Sequence, residues 1–194
     1  IIYCATRRQT DDLHDLLHRK GYSVRPYHAG LSEKERTENQ ERFSRDDIRI
    51  IVATIAFGMG INKPNVRFVV HYNLPASIEN YYQEIGRAGR DGLPAHCLLL
   101  FGYGDLQKVQ FFIGQKTEQE QRTANILLSQ LLGFAETDLC RRVPLLHYFG
   151  ETEVPEQCGM CDNCRLGKEE KDLANLTIPA QMFLSCVKRT GEIF

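Results

Sequence analysis

At 194 residues, with 42% hydrophobic and 25% charged positions, the chain has room for one ordinary domain plus a small appendage and the composition of a globular protein. No apolar run approaches a membrane span and no secretory signal opens the chain, so no membrane partner is expected. A formal net charge of −1 excludes a general basic field, so any nucleic-acid contact has to come from local patches and loops.

The chain opens on Ile1-Ile-Tyr-Cys-Ala5, a buried-strand pattern that starts abruptly and reads as interior to a larger protein. Thr6 follows, then Asp11, Asp12, Leu13, Leu16 and Leu17 suggest a helix with acids in its first turns, basic residues at its end and a stop at Gly21. Residues 23–27 form a second strand, which Pro26 marks as an edge or end. After the loop His28-Ala-Gly-Leu31, the capping box Ser32-x-x-Glu35 opens a polar helix running to about Ser44. Residues 48–53 are nearly all apolar, as a buried parallel strand requires, and residues 66–72 form the next one. Between them lies a glycine-bearing loop, residues 54–64, in which Gly58-Met-Gly60 is no dinucleotide fingerprint because Lys63 stands where the third glycine belongs.

Ser77 is an N-cap for a helix carrying Ile78, Tyr81, Tyr82 and Ile85, which feeds into Tyr81-Tyr-Gln-Glu-Ile-Gly-Arg-Ala-Gly-Arg-Asp-Gly92. Arg87 and Arg90 stand there three residues apart, framed by Gly86, Gly89 and Gly92, with the last two suited to positive φ. Two guanidiniums so placed suit phosphoryl transfer; a bare Arg-x-x-Arg is otherwise a solvated helix end. A last strand spans residues 95–101. Gly102-Tyr-Gly-Asp105 then marks a hinge with Asp105 as N-cap, and helices follow over residues 106–114 and 118–132. The alternation argues for a parallel sheet with right-handed crossovers. The chain has no phosphate-loop sequence and no Asp-Glu-x-His or Asp-Glu-x-Asp box.

Cys140, Cys158, Cys161 and Cys164 form a four-thiol set with two-residue spacings in its second half, Gly159 easing the turn. Structural zinc and an iron–sulfur cluster both suit that set. Cys4, Cys97 and Cys186 sit in apolar runs and read as core thiols. Pro144 falls inside an expected helical run over residues 138–148, where it should kink the helix. A charged linker follows at residues 165–172, and residues 178–194 read as another helix.

Together these stretches resemble the RecQ family of DNA helicases along essentially the whole chain. Residues 1–6 resemble motif IV of superfamily-2 helicases, residues 27–31 the loop that follows it in RecQ proteins, residues 54–64 motif V and residues 83–92 motif VI. Cys140-Arg-Arg and Tyr148-Phe-Gly are similar to the RecQ zinc module, which implies zinc as the metal and an aliphatic residue where Pro144 stands. The implied fold is an α/β, parallel-sheet RecA-like helicase lobe followed by a small helical zinc-binding domain. Its divisions are 1–103 for the lobe, 104–170 for the zinc domain and 171–194 for a linker with the start of a winged-helix domain.

The resemblance implies ATP-driven 3′→5′ movement on DNA, with ATP and Mg²⁺ held between this lobe and an absent N-terminal RecA-like lobe. It makes Arg90 the arginine finger, with Arg87 supporting it or coupling it to DNA. Gln83, Gly58 and Gly60 fall to the nucleotide site, as does Asn62, where many relatives carry Asp. Thr54, His28, Gly30 and Arg7 fall to the DNA backbone, single-stranded or partly duplex. Without a phosphate loop the chain alone is expected to be inactive. The rival reading is a non-catalytic zinc module that binds nucleic acid or protein.

Overall fold

The computed structural model describes residues 1–58 and 61–166. Residues 1–136 form one compact unit, and the chain from Thr137 onward forms a second. The expectations for residues 167–194, including the linker, the helix after it and Cys186, lie outside the described residues, as does Gly60.

In the first unit five strands make one parallel sheet: β1 (Ile2–Tyr3), β2 (Val24–Tyr27), β3 (Ile50–Ala53), β4 (Phe68–His71) and β5 (His96–Leu99). Their spatial order is β2-β3-β1-β4-β5, which puts Pro26 on an edge strand where its missing N–H costs least. β3 is interior, and Ile51, Val52 and Ala53 are fully buried, as the continuous apolar run requires of a strand covered on both faces.

Helix α1 (Arg7–Arg19) covers one face, packing Leu13 and Leu17 against Cys4, Val24 and Val52. It opens earlier than its acids suggest: Thr6 is the N-cap, accepting from the Gln9 amide, and Asp11 and Asp12 fall beyond the first turn. On the other face, α2 (Glu33–Ser44), α3 (Ile78–Ile85) and the turn after α3 contribute Phe43, Ile85 and Ala88 to a core with Tyr3, Ile51, Phe57, Ile61 and Val69. Both arms of the Ser32/Glu35 capping box form, and Ser77 caps α3 by accepting from the Asn80 amide.

Helix α4 (Tyr103–Gly114) begins earlier than expected, with Gly102 as its N-cap and Asp105 in its first turn. Helix α5 (Glu118–Glu136) packs against α4 and α3, bringing Phe134 within 5.3 Å of the Tyr81 ring. Cys97 is exposed, because β5 is the far edge strand; the expectation of a core thiol holds for Cys4 and fails for Cys97.

The second unit contains α6 (Arg142–Tyr148) and α7 (Asp162–Leu166). Pro144 does not sit in a helix interior, because α6 begins only at Arg142. Proline therefore occupies the first turn, where its absent N–H has no intrahelical acceptor to lose.

Gly89 and Gly92 both have positive φ, +62° and +79°, but a Cβ on Gly89 would also meet the Leu93 carbonyl oxygen at 2.9 Å. Backbone strain alone costs about 1–2 kcal/mol for alanine in this region. Gly89→Ala is therefore expected to lower stability by more than Gly92→Ala in denaturant titrations, and equal effects would show that the Leu93 contact relaxes freely.

Candidate functional site

The connection from β3 to β4 contains no helix among its described residues. It leaves the carboxyl end of β3 at Thr54 and returns to the start of β4 alongside α3 and the turn after it. Hydrogen bonds tie these two segments together: the Gly89 amide donates to Val66 O (3.0 Å) and the Asp91 amide to Pro64 O (3.3 Å). Arg90 sits between them, with Nε donating to Gly86 O (3.2 Å) and Nη1 to Ile61 O (3.0 Å). Its remaining nitrogen, Nη2, has no protein partner among the described residues.

Arg87 lies deeper. It is 8% exposed, and its guanidinium packs directly beneath Gly58, where a Cβ would come within 2.6 Å of Nη2. Only glycine lets the crossover backbone approach that closely. Arg87 Nε is buried and unpartnered among the described residues, an unusual state for a charged donor. Of the remaining candidates, Gln83 and Asn62 are both exposed, one on α3 and one on the crossover.

A second group gathers at the carboxyl ends of β1, β2 and β3. The Thr54 amide donates to Tyr27 O (3.1 Å), which sets Thr54 beside the His28 loop. His28 is buried, with Nδ1 accepting from the Gly30 amide (3.1 Å), so its other nitrogen carries the proton and donates to Asp11 (2.9 Å). That acid comes from α1 and not from the sequence neighbourhood of His28. Arg7 completes the group, with its Cδ 3.3 Å from the position a Gly30 Cβ would occupy.

Several buried polar residues brace this arrangement without standing out in the sequence. Lys63, 6% exposed, donates to Asp46 (2.6 Å) and lies over the Phe43 ring, anchoring the end of the crossover to the end of α2. That ammonium, with the Asn65 amide, holds the Asp46 carboxyl below its usual range. His71 and Glu84 form a buried pair at 2.6 Å, and Tyr3 stacks on His71 with centroids 5.6 Å apart. The one available signal was Glu84 itself, a charge one helical turn from Tyr81 on the apolar face of α3.

In the second unit the four sulfurs of Cys140, Cys158, Cys161 and Cys164 lie within 4.8 Å of one another. The Cys158–Cys164 and Cys140–Cys161 separations are 4.0 and 3.9 Å. Tetrahedral zinc with ordinary Zn–S bonds needs edges of about 3.8 Å, so the set fits one such ion. An iron–sulfur cluster, with each thiolate on its own iron or iron edge, would spread the sulfurs further. Amides of Met160 and Cys161 donate to the Cys158 sulfur and that of Cys164 to Cys161, as a thiolate-rich site requires. The Met160 amide leads in drawing the Cys158 thiol down to about 6, while burial pushes the Cys161 thiol up to about 11. Arg141 clamps Asp162 through Nε (3.0 Å) and Nη2 (2.9 Å), and Asn163 donates to the Thr137 and Leu139 carbonyls. These bonds hold the Cys140 segment against the Cys161–Cys164 turn.

Comparisons with known proteins divide the chain earlier than its two compact units do, with α4 and α5 falling to the second match. The family description "Helicase conserved C-terminal domain" matches residues 1–92, and "RecQ zinc-binding" matches residues 103–165. The chain is 45% identical over its whole length to the ATP-dependent DNA helicase RecQ of Pasteurella multocida and 43% identical to that of Bacillus subtilis. It spans 30% and 32% of those relatives. Among solved structures, a DEAD box protein from Methanococcus jannaschii matches with a TM-score of 0.50 at 29% identity, covering 57% of this chain and 30% of that one. The chain belongs to the RecQ family, and carries the C-terminal helicase domain and the zinc-binding domain of that family in succession.

Proposed function

We propose that this chain supplies the ATP-responsive second lobe and the zinc domain of an ATP-dependent 3′→5′ DNA helicase acting on single-stranded and partly duplex DNA. The observation that carries the reading is the pair of arginines fixed against the crossover. Arg90 is anchored through two nitrogens and keeps a third for a ligand, while Arg87 is held buried beneath Gly58. A guanidinium anchored in this way is pre-positioned to meet charge developing on a transferring phosphoryl group. In this reading Arg90 is the arginine finger and Arg87 its support.

ATP with Mg²⁺ would bind between this lobe and an N-terminal RecA-like lobe, the ion neutralising charge on the phosphates. Gln83, one helical turn before Arg87, and Asn62, exposed on the crossover, then face the γ-phosphate and the ribose, and Gly58 and Gly60 admit the nucleotide close to the backbone. Thr54, Gly30 and Arg7, with His28 holding their loop, contact DNA phosphates without reading sequence. Cys140, Cys158, Cys161 and Cys164 hold structural zinc. The divisions 1–103, 104–170 and 171–194 are retained for lobe, zinc domain and the start of a winged helix. A protein of this kind works where DNA lies, in the nucleoid or the nucleus.

The deciding experiment is a DNA-stimulated ATPase assay on the protein containing both lobes. Arg90→Ala is expected to lower turnover by about 10³-fold or more while nucleotide and DNA affinity stay near wild type, since a finger acts on the transition state. Retention of more than about a tenth of the turnover would remove Arg90 from that role. The chain alone should show no stimulated hydrolysis, because residues 1–194 contain no phosphate loop and no Mg²⁺-binding acid box.

Replacing any one of Cys140, Cys158, Cys161 or Cys164 by Ser should remove zinc and open the Cys140–Cys164 segment to protease, whereas Cys4→Ser should leave metal content unchanged. Elemental analysis decides this: zinc persisting in Cys140→Ser, or iron with labile sulfide in the parent protein, would overturn the assignment.

A further inference from the structure

Three elements of the nucleotide-facing apparatus converge on one side chain that carries none of the expected roles. Tyr3 lies on β1, 4% exposed, at the centre of the face that α3 and the crossover cover. Its hydroxyl donates to Phe57 O at 3.1 Å, one residue before the Gly58 that roofs Arg87. Its ring stacks on His71, the rings 5.6 Å apart at 25°, and His71 Nε2 is tied to Glu84 at 2.6 Å, three residues before Arg87 on α3. Burial pushes the phenol up to about 12, opposed first by the nearby charge of Arg87. The phenol is thus neutral at working pH and able to donate to the Phe57 carbonyl.

We propose that Tyr3 is a positioning residue of this site: its hydroxyl fixes the Phe57–Gly58 backbone that lies against the Arg87 guanidinium. The inference rests on the assignment of Arg87 to phosphoryl transfer. The physical case is that Arg87 is held chiefly by the backbone packed over it at Gly58, so the placement of that backbone sets the placement of the guanidinium. Its Nε is unpartnered among the described residues, so packing and not hydrogen bonding at that atom has to orient it. Tyr3, His71 and Glu84 also line a cavity of about 280 Å³, whose other walls include Val109 and Phe112 of α4 and Leu128 of α5. Close packing therefore does not lock these three side chains from every direction. Their polar contacts and ring stacking do that: the tyrosine hydroxyl joins β1 to the crossover, and its ring meets the His71–Glu84 pair that reaches α3.

The test is Tyr3→Phe in the full-length protein, with Arg87→Ala and the double variant beside it. Phenylalanine keeps the ring and its stacking and removes the hydroxyl alone. The expected result is a loss in kcat of between about tenfold and a hundredfold, as for a displacement of about an ångström at a catalytic group. The KM for ATP, the affinity for single-stranded DNA and the thermal midpoint should stay close to wild type. The double variant should be no slower than Arg87→Ala, because the hydroxyl has nothing left to position. Turnover of Tyr3→Phe within about twofold of wild type, or losses that multiply in the double variant, would overturn the inference. So would a fall in kcat matched by a fall in the thermal midpoint, the mark of a structural tyrosine. Full turnover in Arg87→Ala would instead remove the parent assignment and this inference with it.

Discussion

Everything at this site depends on satisfying the backbone of a parallel-strand crossover that has no described helix of its own. A parallel connection must cross a sheet face, and a helix normally carries it because a helix bonds its own amides and carbonyls. Here the segment from Thr54 to Arg67 borrows its partners. Arg90 bonds Ile61 O, the Gly89 and Asp91 amides bond Val66 O and Pro64 O, and Lys63 ties its end to Asp46. The groups that satisfy the crossover are the same groups that the nucleotide reading needs in place. Fold and site share atoms, so the site cannot be loosened without exposing buried carbonyls.

Local features of this arrangement were legible from the sequence. Ser32/Glu35 and Ser77 are capping signals because they involve neighbours a turn apart, and Pro26 marks an edge because a missing amide is intolerable elsewhere. The cysteine set was legible for the same reason, its spacing being its chemistry. Long-range polar pairing was not. His28 finds Asp11 from a different helix, Lys63 finds Asp46, and Tyr3 reaches Phe57, none of them neighbours in sequence. Boundaries also slipped where tertiary context decided them. Asp105 looks like a cap yet lies within the first turn, and Pro144 looks like an interior breaker only if α6 is drawn too long. Cys97 shares the apolar run of a strand but not its burial, because nothing in the run says which strand is last.

The two units solve the problem of stability differently. The first buries aliphatic and aromatic side chains on both faces of a sheet. In the second, Cys140 is the one buried hydrophobic side chain among the described residues. A segment that small has too little apolar surface to offset its ordering entropy, so a metal staple and a few charge-assisted bonds such as Arg141–Asp162 must do so. For its described residues, folding would then be linked to metal availability through the four cysteines.

The sheet also has unequal margins. On the β2 side Pro26 withholds a donor. On the β5 side the His96 and Leu100 amides bond back toward β4, so by strand alternation those of Cys97 and Leu99 point outward, beside exposed Phe68, Leu98 and Leu100. One margin refuses an added strand and the other offers a ready template for it. Among the described residues, any strand added to this sheet would therefore find its hydrogen-bonding partners along β5 and not along β2.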